Sequence, residues 1–263
     1  MHRRLLLNMA LGVGALAGVP LLWAQVKDIN DAINKAGRQR MLSQRMAKCY
    51  LALGQNVLSD AADKTLAASM ALFDRQLVEL KAFAPTPEVK ATYQSLESEW
   101  SEYKARLVGS SPAKAGAEPV LVQAGKVLAL ANQGTVQLEA VSGRPVGRLV
   151  NIAGRQRMLS QRMAAFYLSA GWGVQGANSM AELNKAKDEF VKASDVLKLA
   201  PEATDAIRTE LALADSQFVF FDAALRALRP GGGDVQAMTN VFTTSERILQ
   251  VMDNVTGLYA KLS

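Results

Sequence analysis

Ala36-Gly-Arg-Gln-Arg-Met-Leu-Ser-Gln-Arg-Met-Ala47 recurs without a change as Ala153-Gly-Arg-Gln-Arg-Met-Leu-Ser-Gln-Arg-Met-Ala164, 117 residues further along a chain of 263. Each copy holds three arginines and no acid. Outside the phrase the two halves have drifted much further apart than inside it. The phrase itself lies in a proline-free run, in a chain rich in alanine and leucine with only 6% aromatic residues. That composition favours helix. The reading of the phrase as helix, and of its repetition as duplication of a whole unit, decides the fold.

Working outward, apolar residues recur at three- and four-residue spacings, the stripe of a helix with one buried face. Leu66, Met70, Phe73, Leu77 and Leu80 form one such stripe, and Tyr93, Leu96, Trp100, Tyr103 and Leu107 form the next. Breakers separate them at Pro85 and Pro87, at 109–116 and at 142–145. Helices are expected at about 25–58, 60–84, 88–108 and 118–141, then again at about 146–168, 179–199, 202–228 and 235–262. Val255-Thr256-Gly257 reads as the counterpart of Val141-Ser142-Gly143. The expected fold is all-α: two tandem antiparallel four-helix-bundle units related by internal duplication, 25–143 and 144–263.

Residues 1–24 stand apart. Arg3 and Arg4 precede an apolar run from Leu5 to Val19, followed by Pro20 and Ala24, the order of a secretory signal. Cleavage after Ala24 would release a periplasmic protein. Left uncleaved, the run is about long enough, at ~20 residues, to anchor it in the inner membrane. The formal charge of +6 includes two leader arginines and is mild, with no basic runs, so nucleic acid is not an expected partner.

Two scarcities narrow the chemistry. The only histidine is His2, in the leader, so the exported part has no imidazole for proton transfer or metal ligation. The only cysteine, Cys49, allows no intramolecular disulfide and no thiolate cluster, and reads as a small core residue. Ser43 and Ser160 have no activating base along their helix. Gly231-Gly-Gly233 lacks the Lys-Ser/Thr of a phosphate loop, and Met41, Met46, Met158 and Met163 are spaced for packing. No enzyme, metal or cofactor is expected.

On a helical wheel the phrase arginines divide. Arg38 and Arg45 share a face with Asn34, as solvated arginines would. Arg40 points out of a stripe made by Ile33, Ala36, Ala47 and Leu51, with Gly37 close by and Gln44 one turn on. Arg157 repeats this among Val150, Ala153, Ala164 and Leu168, with Gly154 and Gln161. A buried guanidinium needs a counter-charge, and neither phrase supplies one. Two readings stand open: ion pairs to acids of the other helices, or two arginines meeting on a pseudo-two-fold axis around a small anion.

Asn34-Lys-Ala-Gly-Arg-Gln-Arg-Met-Leu-Ser-Gln-Arg-Met46 and its second copy from Asn151 to Met163 resemble the signature of PilJ-type sensor domains. These are the extracytoplasmic, NarX-like modules of nitrate/nitrite sensor kinases and of type IV pilus chemoreceptors. The resemblance implies a helical bundle that binds nitrate or nitrite between the motif helices of two subunits, one arginine from each. By motif position these fall on Arg40 and Arg157, with Gly37 and Gly154 beside them. Gln44, Gln161, Arg38 and Arg155 are secondary candidates. It further implies a periplasmic, sensory, non-enzymatic protein whose partner is a membrane receptor or sensor kinase. The alternative is an interaction module of the envelope or pilus apparatus that binds no ligand. Lys35 departs from the pattern, standing where the second copy has Ile152.

Overall fold

The computed structural model describes residues 25–262. The leader expected at 1–24 lies outside them. Among the described residues no helix is long and apolar enough to cross a membrane. Eight helices follow one another: α1 (Ile29–Gly54), α2 (Ser59–Phe83), α3 (Pro87–Val108), α4 (Lys114–Ser142), α5 (Pro145–Gly171), α6 (Gly176–Leu199), α7 (Asp205–Arg226) and α8 (Val235–Ala260). Side chains set several starts. Asp28 caps α1 by accepting from the Asp31 amide, Thr86 and Thr204 cap α3 and α7, and Asp234 caps α8. Such caps are typically worth ~1 kcal/mol each. The fourth helix begins a turn earlier than expected and carries Pro119 inside it, within its second turn. The seventh begins later than expected, at the Thr204 cap.

The duplication is visible in backbone detail that the sequences do not share. Asn56 and Gly173 both have positive φ, as do Leu58 and Gln175, so the α1–α2 and α5–α6 turns have one shape. Phe73 stacks on Trp100 and Phe190 on Phe218, and Gln39 and Gln156 donate to the carbonyls of Phe73 and Phe190. Each unit packs its helices as a ring in chain order, through neighbouring pairs α1–α2, α2–α3, α3–α4 and α4–α1, and likewise for α5 to α8.

The two units join through α1 and α5, with α8 also touching α1 and α4 touching α5. The motif helices are therefore covered on nearly all sides, and Met41, Met46, Met158, Met163 and Cys49 all lie in the core. The most enclosed helices of the molecule are those with the most arginines. Lys35 is explained by its surroundings: it is buried and pairs with Glu79 at 2.7 Å and Asp31 at 3.0 Å. The corresponding residues of the second unit are Ile152 and Val196, two apolar side chains lining one surface groove in place of an ion pair.

Candidate functional site

α1 and α5 run parallel and in register. Gly37 lies over Gly154, Gln44 accepts from Arg162 at 3.1 Å, and near the far end Gln55 donates to the Leu168 carbonyl at 3.1 Å. Parallel packing of equivalent helices is what a two-fold axis along their length produces. The backbones close up at the glycines: a Cβ built on Gly37 would stand 3.7 Å from Gly154 Cα, 3.3 Å from Arg40 Nη2 and 3.4 Å from Arg157 Nη2. One built on Gly154 would stand 3.1 Å from Arg157 Nη2 and 3.6 Å from Arg40 Nη2. Both guanidiniums thus converge on one crossing, where a side chain at either glycine would crowd them.

Helical side chains lean toward their own N-terminus, so each arginine reaches the preceding turn of the opposite helix. Arg40 Nη2 donates to the Asn151 carbonyl and Arg157 Nη2 to the Asn34 carbonyl, both at 3.0 Å. Both residues are 0% exposed, and the Nε of each, also buried, has no partner. To this point the site is symmetric.

The remaining donor breaks the symmetry. Arg157 Nη1 pairs with Oδ1 of Asp253 on α8, which also accepts from Arg38 Nη2 at 2.9 Å. Arg40 Nη1 donates at 3.0 Å to Oδ1 of Asn132 on α4, which also accepts from Arg155 Nη1 at 3.0 Å. Asn132 and Asp253 do the same job, each sitting between its own unit's inner arginine and the other unit's outer one. One is a neutral amide and the other a carboxylate. Glu139, a turn or two further on α4, is engaged by Nδ2 of Asn151. Arg157 therefore has a counter-charge in contact, and Arg40 has none. Burial, reinforced by Arg155 and Arg157, pulls the Arg40 guanidinium down to about 9 against the opposing pull of Glu139 and Glu189. Arg157 is lowered to about 10 by burial and Arg38, with Asp253 opposing. Both stay protonated at neutral pH.

Several expectations need correction. Arg38 and Arg45 are not solvated: they are mostly buried and reach across the unit boundary to Asp253 and Glu246. In the second copy Arg155 and Arg162 turn instead to Glu189 and Glu182 of α6. Gln44 and Gln161 form no hydrogen bond with Arg40 or Arg157. Their amides donate to the carbonyls of Ala124 and Ser245, tying each motif helix to the last helix of its unit. The Val255-Thr256-Gly257 echo is out of register: Ala124 pairs off with Ser245 and Asn132 with Asp253, 121 residues apart, two helical turns from where the echo sets them. The loop before α8 is longer than the one before α4, and a stripe that repeats every seven residues hides the slip. Asn132, Asp253, Glu246 and Lys48 carry the site's asymmetry and were missed. Aligning the two halves by buried stripe would have found the first two.

On one side of the axis, Glu246 accepts from Arg45 Nε at 3.0 Å and pairs with Lys48, itself fully buried over the Phe242 ring. Burial raises the carboxyls of Glu246 and Asp253, but the cations facing them outweigh it: Lys48 and Arg45 for the first, Arg157 and Arg38 for the second. Each is held at about 2. Folded values below the unfolded ones, ~4.3 and ~3.9, mean stability that is present above pH ~4 and lost as pH falls through about 2. The melting temperature is expected to fall steeply between those values, and Glu246→Gln to flatten that limb in a circular-dichroism series. An acid limb of unchanged slope in Glu246→Gln would count against the pairing.

The pattern described as PilJ, Type IV pili methyl-accepting chemotaxis transducer N-term, matches the chain twice, at residues 21–132 and 142–255. A methyl-accepting chemotaxis protein of Pseudomonas aeruginosa, McpN, is 34% identical over 117 residues, 41% of this chain and 21% of the relative. The chain thus spans about a fifth of that protein's length. No solved structure matches.

Proposed function

Because the chain belongs to the family of type IV pili methyl-accepting chemotaxis transducer N-terminal domains, we propose that it is a periplasmic, non-enzymatic sensory protein that binds a small anion, nitrate or nitrite, between its motif helices. In this reading residues 1–24 are the export signal or an uncleaved anchor, and 25–143 and 144–263 are the two units. The ligand-binding groups are Arg40, Arg157, Gly37 and Gly154. One chain does what a dimer of single-copy domains would do, with α1 and α5 in the roles of two subunits' motif helices. The receiver is a membrane receptor or sensor kinase.

One observation carries this reading. Arg40 is a fully buried cation whose hydrogen-bond acceptors are all neutral, at a crossing where a second guanidinium converges. Arg40, the five other phrase arginines and Lys48 outnumber the carboxylates that face them, Glu139, Glu182, Glu189, Glu246 and Asp253. A planar oxyanion supplies both charge and acceptors to such a pair. The reading as a ligand-free interaction module has support of its own in the Arg157–Asp253 pair, an internal neutralisation of half the site.

Melting curves separate the two. Nitrate or nitrite at millimolar concentration is expected to raise the melting temperature of the purified protein by several degrees, as ligation of the folded state requires. Arg40→Ala and Arg157→Ala are each expected to remove the shift. Flat curves for the unmodified protein across nitrate, nitrite and other small oxyanions would favour the interaction module.

A further inference from the structure

The crossing is flanked by two lateral grooves that the duplication makes equivalent. One, of about 240 Å³, lies between α4, α5 and α6 and is lined by Gly125, Asn132, Arg155, Arg162, Glu182 and Glu189. The other, of about 570 Å³, lies between α8, α1 and α2, with Glu246, Asp253, Arg38 and Arg45 in its walls. The register that pairs Asn132 with Asp253 pairs Gly125 with Glu246. The last helix of the second unit therefore presents two carboxylates to its groove, where the last helix of the first unit presents an amide and a glycine. A Cβ on Gly125 would meet nothing within 4 Å.

The consequence falls on the inner arginines. Arg38 and Arg157 share the carboxylate oxygen of Asp253, while Arg155 and Arg40 share the amide oxygen of Asn132. Arg155 has Glu189 as well, and Lys185 in the groove wall is exposed, so the unmatched buried charge in this half is that of Arg40. Resting on the anion-binding reading above, we propose that the two halves of the site have diverged: Asp253 is a built-in anion for one half, and the Arg40–Asn132–Arg155 half alone accepts an exogenous one. That ligand is a small, singly charged oxyanion, one per chain. It arrives through the groove between α4, α5 and α6, past Asn132 and Arg155 in its wall, and reaches Arg40 at the crossing, where the Asp253 carboxylate already answers Arg157. Asn132 is the residue that determines this half's charge requirement.

The substitutions that test this change no more than an amide for a carboxylate. Calorimetric titration with nitrate, and with nitrite, is expected to give one site per chain for the unmodified protein. Asn132→Asp is expected to weaken binding at least a hundredfold while melting above the unmodified protein in the absence of ligand, because its new carboxylate satisfies Arg40 and Arg155. Asp253→Asn is expected to melt lower and to take up two anions per chain, a stoichiometry that a purely structural role for Asp253 would not produce. If Asn132→Asp binds nitrate like the unmodified protein while Arg40→Ala does not, the anion lies elsewhere at the crossing: this inference falls and anion binding stands. An Asn132→Asp protein that melts below the unmodified one also overturns it. If the unmodified protein binds neither anion, the underlying reading fails and takes this one with it.

Discussion

Replacing Arg40 with methionine is expected to raise the melting temperature of the ligand-free protein and to abolish its response to nitrate. The direction follows from the surroundings of the side chain. Arg40 is fully buried, its Nε has no partner, and its terminal nitrogens meet only the Asn132 amide and the Asn151 carbonyl. The Asn151 carbonyl lies inside α5, where the helix ladder already supplies it a donor. Its loss of Arg40 therefore leaves little uncompensated. Methionine is unbranched and flexible enough to follow the same path between the helices. Replacing a whole buried ion pair by apolar residues of similar volume is often stabilising by about 1–4 kcal/mol; Arg40 has no charged partner to strand, so its loss acts in the same direction, and at roughly 2–4 °C per kcal/mol for domains of this size the gain is measurable.

Arg157→Met is the internal control, because the same phrase surrounds it. Here the substitution also takes one of two guanidinium partners from Asp253, so no gain in melting temperature is expected. A gain confined to Arg40→Met is the outcome that the anion-binding reading requires. An Arg40→Met protein that melts several degrees lower than the unmodified one, level with Arg157→Met, would instead make Arg40 a structural hub.

The repeated phrase made this contrast possible to see, but only half of it was legible in the sequence. Helical periodicity isolated Arg40 and Arg157 from their neighbours, because burial on a helix is a property of spacing, and both are fully buried. The meeting of α1 and α5 was one of two readings that the small and apolar residues around the two arginines left open, and the crossing at Gly37 and Gly154 has that form. The fate of Arg38 and Arg45 was not legible. Their partners lie about two hundred residues away on α8, and one wheel cannot show what faces it across a unit boundary. Nor could composition show that the two copies are neutralised by different helices, α8 on one side and α6 on the other. That difference resides in the drifted segments, where register could not be fixed from a three-residue echo.

Glu246→Ala is expected to be the most damaging single substitution at the unit boundary, costing about 3–5 kcal/mol, the usual penalty for stripping one partner from a buried pair. Lys48 decides this. Its ammonium is fully enclosed, with Glu246, the Ser245 hydroxyl at 3.0 Å and the Phe242 face at 4.1 Å as its partners. Of these only Glu246 carries an opposing charge. Burial already lowers the Lys48 ammonium from its ordinary value while Glu246 holds it up, so removing the carboxylate lowers it further. A base with a lowered folded pKa regains stability as pH rises through that value. The deficit of Glu246→Ala is therefore expected to shrink between neutral pH and pH ~10, and adding Lys48→Met is expected to restore most of the loss at pH 7. The second copy has Ala165 where the first has Lys48, so no symmetry-related pair can compensate, and α1 loses its strongest tie to α8. Denaturant titrations of the three proteins at two pH values measure all of this. A Glu246→Ala protein within about 1 kcal/mol of the unmodified one at neutral pH would mean that Lys48 finds water or another acid, and that the α1–α5 contacts hold the units together without this pair.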